Sequence, residues 1–122
     1  MKHRYDFIDV SFADAIAPFS GKLLARKYTR FQHGLYDGRL GCSIFWVGNE
    51  PHVNFLPNTP NRVKLEGTIA FLRQHPHAVV RTLESTKRLF DAVSKHTKLK
   101  LRRRGLDSLG RGLEYIYEVS HA

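Results

Sequence analysis

The sequence predicts a single α/β domain of the α+β kind, a central mixed and mostly antiparallel sheet flanked by helices, spanning residues 1–122. Three observations carry this. Stretches that alternate with period two are interleaved with stretches of helical period. Two strand-like runs flank the tight turn Gly48-Asn49-Glu50-Pro51, a spacing that calls for an antiparallel hairpin. The chain closes on a strand pair, one basic from Lys98 to Arg104 and one aromatic from Leu113 to Val119. No repeat, linker or low-complexity tract divides it, so a second domain is not expected.

Taken in order, Tyr5 to Val10 alternates apolar and acidic residues and reads as a first strand. Ser11 suits a helix N-cap, with Asp14 three positions on in an imperfect capping box. Phe12, Ala15, Ile16 and Phe19 keep helical spacing, and Pro18, lacking a backbone donor, should end or kink that helix. Leu23, Leu24, Lys27, Tyr28 and Phe31 then predict a second helix beside Arg26 and Arg30, left through Gly34, Gly38 and Gly41. Cys42 to Val47 is apolar on both faces and belongs inside a covered sheet, and His52 to Leu56 is its hairpin partner. The turn-rich Pro57 to Asn61 opens a helix with Leu65, Ile69 and Leu72 on one face, ended by His75-Pro76-His77. Ala78 to Leu83 reads as a strand, and Ser85 caps a helix carrying Leu89, Phe90 and Val93. In the closing pair, Lys98, Lys100, Arg102 and Arg104 share one face by alternation, and Glu114 and Glu118 stand ready to answer part of that charge.

With 42% hydrophobic and 25% charged residues the composition is globular, and a chain of 122 residues can bury a core without a disulfide or structural metal. Cys42 is the only cysteine, which excludes an internal disulfide and fits a reducing compartment. No apolar run approaches a membrane span and the first residues lack a signal-peptide core, so a soluble, cytoplasmic protein is expected. The formal charge of +9 points to an anionic partner: a CoA-like cofactor, nucleic acid or an acidic protein surface.

The order strand, two helices, hairpin, helix, strand, helix, strand, strand resembles the GNAT (N-acetyltransferase-like) fold over nearly the whole chain. The likeness is strongest from Val79 to the final LEYIYEV. The brevity is similar to that of small, divergent members found in tailed phages, which implies a phage protein at work in the host cytoplasm or the virion. The resemblance implies N-acyl transfer from acetyl-CoA, whose pyrophosphate sits at a helix start in a glycine-containing signature. The matching stretch runs from Asn58 to Gly67, where Asn58, Thr59, Asn61, Arg62 and Lys64 become the cofactor-binding candidates; of the signature's glycines only Gly67 is near. The helix from Ser85 to His96 lacks the family's proton-donating tyrosine, with Phe90 and Ser94 nearest that place. Tyr115 and Tyr117 are therefore the candidate acids, and Glu50 and His52, beside the hairpin turn, the candidate bases.

A second reading stays open beside this one: a non-enzymatic basic protein that binds nucleic acid, a host protein or virion components. Its candidates are Lys98, Lys100, Arg102, Arg103 and Arg104, closely spaced cations that suit a phosphate backbone, with Lys87, Arg88 and Lys95 adding to the field. No metal is expected, because His75 and His77 flank a proline without further ligands in step. Cys42, Phe45, Trp46 and Phe55 read as packing residues.

Overall fold

The computed structural model describes residues 3–19, 27–83, 87–97, 99–106 and 113–119. The first strand, β1 (Tyr5–Asp9), leads into the short helix α1 (Phe12–Ile16). The Ser11 side chain accepts the N–H of Asp14 at 3.1 Å, as the capping pattern requires, and the helix stops just before the turn that contains Pro18. Strands β2 (Arg30–Tyr36), β3 (Arg39–Val47) and β4 (Glu50–Phe55) follow, joined by tight turns. With β1 they form an antiparallel sheet in the order β1-β2-β3-β4. Helix α2 (Asn61–Gln74) comes next, then β5 (Val79–Leu83), helix α3 (Lys87–Val93), β6 (Leu99–Leu106) and β7 (Leu113–Val119). The last three strands make a second antiparallel sheet in the order β5-β7-β6. The protein is thus a small α+β fold with few helices. Among the described residues no helix is long and apolar enough to cross a membrane.

The expected second helix ending at Phe31 does not hold at its described end, and the strand β2 takes its place there; Leu23, Leu24 and Arg26 lie outside the described residues. The physical reason lies in the partners. Phe31 joins Phe12, Tyr28 and Phe45 in an aromatic cluster on one face of the sheet, with ring centroids 5.2 to 6.1 Å apart. Gln32, one residue on, is buried on the other face, where its Oε1 accepts the Trp46 indole N–H at 2.8 Å. A helix cannot present neighbours to opposite layers in this way, whereas a strand must. Gly34 and Gly41 accordingly sit inside strands, and of the three glycines only Gly38 occupies a turn, at φ +79° beside Asp37 at +50°. That turn is also pinned from outside, since Asp37 Oδ1 accepts the N–H of Arg4 at 2.8 Å.

β3 is the buried middle of the first sheet, as its apolar sequence implies. Phe45 and Ile44 are completely enclosed, each stabilising the fold by roughly 1.5–3 kcal/mol through burial. Towards α2 the sheet presents Cys42, Ile44 and Trp46, which pack with Ile69, Phe71 and Leu72 of the helix. Trp46 lies against Phe71 and His75 at 5.5 and 5.2 Å, and His75 ends the helix by donating from both its N–H and its ring Nδ1 to the carbonyl of Phe71. The same core continues through Ala78 and Val80 to Val93, Tyr115 and Tyr117, so α2 and α3 bind the two sheets from one side. On the opposite side α1 packs against β2 and β3, with Ala15 fully buried.

In the second sheet the expected charge ladder is broken. The β6–β7 register slips between Leu101 and Arg103, so Lys100 stands opposite Glu118, but Arg104 stands opposite Tyr115 and Glu114 opposite Gly105. A bulge of this kind adds a residue to one strand and shifts the pairing beyond it. Lys98 and Ser85 lie outside the described residues, as do the side chains of Lys100, Arg102, Arg103 and Arg104.

Gly34 is required for close packing: a Cβ there would collide with Cys42 Sγ, its cross-strand neighbour, and crowd Phe7 at 3.3 Å. Gly34→Ala is therefore expected to lower stability by about 1–3 kcal/mol. Urea unfolding should show that adding Cys42→Ala recovers part of this loss, a coupling that independent sites would lack.

Candidate functional site: a cavity between the two sheets

β4 and β5 are the facing edges of the two sheets, and they meet at their beginnings. The N–H of Val79 donates to the carbonyl of Asn49 at 2.9 Å, and Arg81 Nε pairs with Glu50 Oε1. No ladder joins β4 to β5 among the described residues. Past that junction a cavity of about 1150 Å³ opens, walled by Val53 and Phe55 of β4, Val80 and Thr82 of β5, and the first turns of α2. An outer strand edge beside such a space leaves backbone donors and acceptors available to an extended ligand.

The loop from β4 into α2 has a defined shape. Asn58 adopts φ +69°, and the buried Thr59 hydroxyl lies 2.8 Å from the carbonyl of Leu56 and 3.3 Å from that of Gly41. Pro60 is the N-cap and supplies no side-chain cap, which leaves the first N–H groups of the helix without that partner. Of the cofactor candidates from the sequence, Asn61 and Lys64 line the cavity, Lys64 Nζ sitting 5.8 Å from the centre of the Phe55 ring. Thr59 instead holds the turn, and Arg62 reaches along the helix to Glu66 at 3.1 Å.

The candidate bases are together. Glu50 and His52 both line the cavity, with His52 Nε2 4.0 Å from Glu50 Oε2 while the other carboxylate oxygen binds Arg81. A carboxylate so placed stabilises positive charge on an imidazole that accepts a proton. Tyr115 and Tyr117 are elsewhere. Both are buried in the middle strand of the second sheet, and neither lines the cavity. Tyr117 stacks on Phe90 at 5.9 Å and donates its hydroxyl to Asp91 at 3.2 Å; Tyr115 lies under Lys87 Nζ at 5.2 Å. Cys42 packs in the core, where burial pushes its thiol up to about 12. Among the described residues no three His, Cys, Asp or Glu side chains gather in a metal-binding group.

Sequence reading missed two contributors. Arg81 was passed over as a residue within a strand, and only the tertiary junction sets it against Glu50. Tyr5 lines the far wall and donates its hydroxyl to Glu66 at 3.0 Å, tying β1 to α2. Compared with protein-family models and with curated protein sequences, the chain matches none.

The wall formed by Tyr5, Glu66 and Arg62 makes a pH-dependent contribution. The Arg62 guanidinium, and after it the Tyr5 hydroxyl, hold the Glu66 carboxyl below its ordinary value of 4.5. The unfolded chain then binds this proton more readily than the folded one. The stabilisation is complete above 4.5 and is lost as pH falls through the folded value. Glu66→Gln should accordingly lower the melting temperature at neutral pH and flatten its decline in acid, measured by thermal melts across a pH series.

Proposed function

We propose that the protein is a divergent GNAT-like N-acyltransferase that takes its acyl group from acetyl-CoA in the cavity between β4 and β5. The observation that carries this reading is the parting of those two edges beside the start of α2, which leaves about 1150 Å³ bounded by strand edges and a helix start. The strand order β1-β2-β3-β4 followed by β5-β7-β6 supports it, because a sheet opened between its fourth and fifth strands suits a long, thin ligand.

Each residue then has a task. Asn61 and Lys64 hold phosphate at the first turn of α2, where amide N–H groups and a lysine favour negative charge. The donor, once bound, supplies an acyl thioester. His52 takes the proton from the amine as its nitrogen attacks the thioester carbonyl and, with Glu50 steadying the imidazolium, returns that proton to the thiolate released as the C–S bond breaks. Arg81 keeps Glu50 in place and closes the junction between the sheets. Tyr115 and Tyr117 take no part, being core residues outside the cavity.

Acetyl-CoA should raise the melting temperature, and no shift at saturation would remove the reading. His52→Gln should keep that shift while slowing acyl transfer by about 10²–10⁴-fold, the usual worth of a general base.

One observation favours a second reading, in which the protein binds nucleic acid. β6, which carries Lys100, Arg102, Arg103 and Arg104, is an outer strand of its sheet, a place from which a basic run can reach a phosphate backbone. Binding to a DNA or RNA oligonucleotide would weaken steeply with salt. Replacing Lys100, Arg102 and Arg104 by Ala should reduce the log–log salt slope by roughly two to three. An unchanged slope, or no binding at low salt, counts against it.

A further inference from the structure

The charge lining the cavity is unbalanced, and the excess sits on two helices. Among the described lining residues Glu50 is the one carboxylate, set against Lys64, Arg81 and Arg88. Glu50 is occupied by Arg81, so the remaining cationic side chains are Lys64, the fourth residue of α2, and Arg88, the second of α3. Neither has a carboxylate partner among the described residues. The acid nearest Arg88 along its own helix, Asp91, is engaged by Lys87 Nζ at 2.6 Å and by the Tyr117 hydroxyl at 3.2 Å.

Topology brings the two cations to the same end. β4 and β5 are joined at their beginnings, by Asn49 with Val79 and Glu50 with Arg81. The chain leaves each strand at the opposite end, into α2 from β4 and into α3 from β5. The first residues of both helices therefore border the open end of the cavity, and α2 and α3 pack against each other. Lys64 is held towards this space by the Phe55 ring, and Leu89 and Phe90 flank the cavity beside Arg88. Two unneutralised cations beside a low-dielectric wall favour a ligand that brings its own negative charge. The planar fork of an arginine matches the oxygens of a phosphate better than any other side chain.

We propose that Arg88 is a specificity-determining residue of this cavity, binding a phosphate group of the ligand from α3, across from Lys64 on α2. The proposal rests on the reading of the cavity as the donor site and adds to it the discrimination between phosphorylated and unphosphorylated ligands. It also moves Arg88 from the general basic field of the surface to a defined place in the site.

The test compares ligands with and without phosphate, using titration calorimetry on the full chain. Arg88→Ala should weaken CoA by about tenfold, the loss of one charge-assisted contact, and leave pantetheine, which has no phosphate, unchanged. Arg88→Lys should recover part of the loss, and Arg88→Glu should exceed it. Because Arg88 is exposed, the ligand-free melting temperature of each variant should stay near that of the parent. Equal losses for CoA and pantetheine would assign Arg88 to packing and overturn the proposal, as would an undiminished affinity for CoA. Adenosine 3′,5′-bisphosphate separates this from the acyltransferase reading. If the parent protein binds it in an Arg88-dependent way but ignores pantetheine, the phosphate site stands and the thioester reading falls. If it binds neither CoA nor the bisphosphate, the phosphate site falls.

Discussion

Val79 donates its N–H to Asn49, and Arg81 meets Glu50 two residues further along; on this short seam the arrangement of the two sheets depends. Each sheet is complete in its own hydrogen bonds, four strands in one and three in the other. What joins them is the seam at the start of β4 and β5 together with the core that α2 and α3 press against both. A continued ladder would bring these strands to the usual spacing of roughly 4.8 Å and leave no room between them. Stopping the pairing after its first contacts creates the cavity and leaves two strand edges beside it.

An open edge inside a protein is a hazard unless something manages it. Here the surrounding core does so. Trp46 bonded to Gln32 and packed on Phe71 and His75 fixes the sheet to α2, while Phe90 on Tyr117 fixes α3 to the second sheet. The tyrosines of β7 are part of that frame. Both are buried outside the cavity, and the Tyr117 hydroxyl is engaged by Asp91. The residues proposed for the site instead lie along the seam and its rim: Glu50, His52 and Arg81 near the junction, Lys64 and Arg88 towards the helices.

Much of the fold was legible because local rules and packing agreed. Ser11 and Pro18 bracket α1, Pro57 to Asn61 opens α2, and the largely apolar Cys42 to Val47 marks a strand covered on both faces. The segment around Phe31 misled because its apolar spacing fits a helix equally well. The Gln32–Trp46 hydrogen bond and the aromatic cluster on the other face are long-range partners that no local period reveals. The basic strand was legible as a strand, but its register was not. Alternation places its cations on one face, but the register slip at Arg102 is decided by the partner strand.

Of the candidate site, residue type and neighbourhood were enough to single out Glu50, His52, Asn61 and Lys64, because each lies next to a turn or helix start that its own sequence specifies. The sequence alone determined the composition of one basic α+β chain, most of its strands and helices, and the burial of its lone cysteine. Only the tertiary structure decided that Arg81 serves Glu50, that Tyr115 and Tyr117 face the core, and that Arg88 borders the cavity. The reason is distance along the chain. Glu50 and Arg81 are 31 residues apart, and no local preference of either one encodes the point at which two sheets stop pairing.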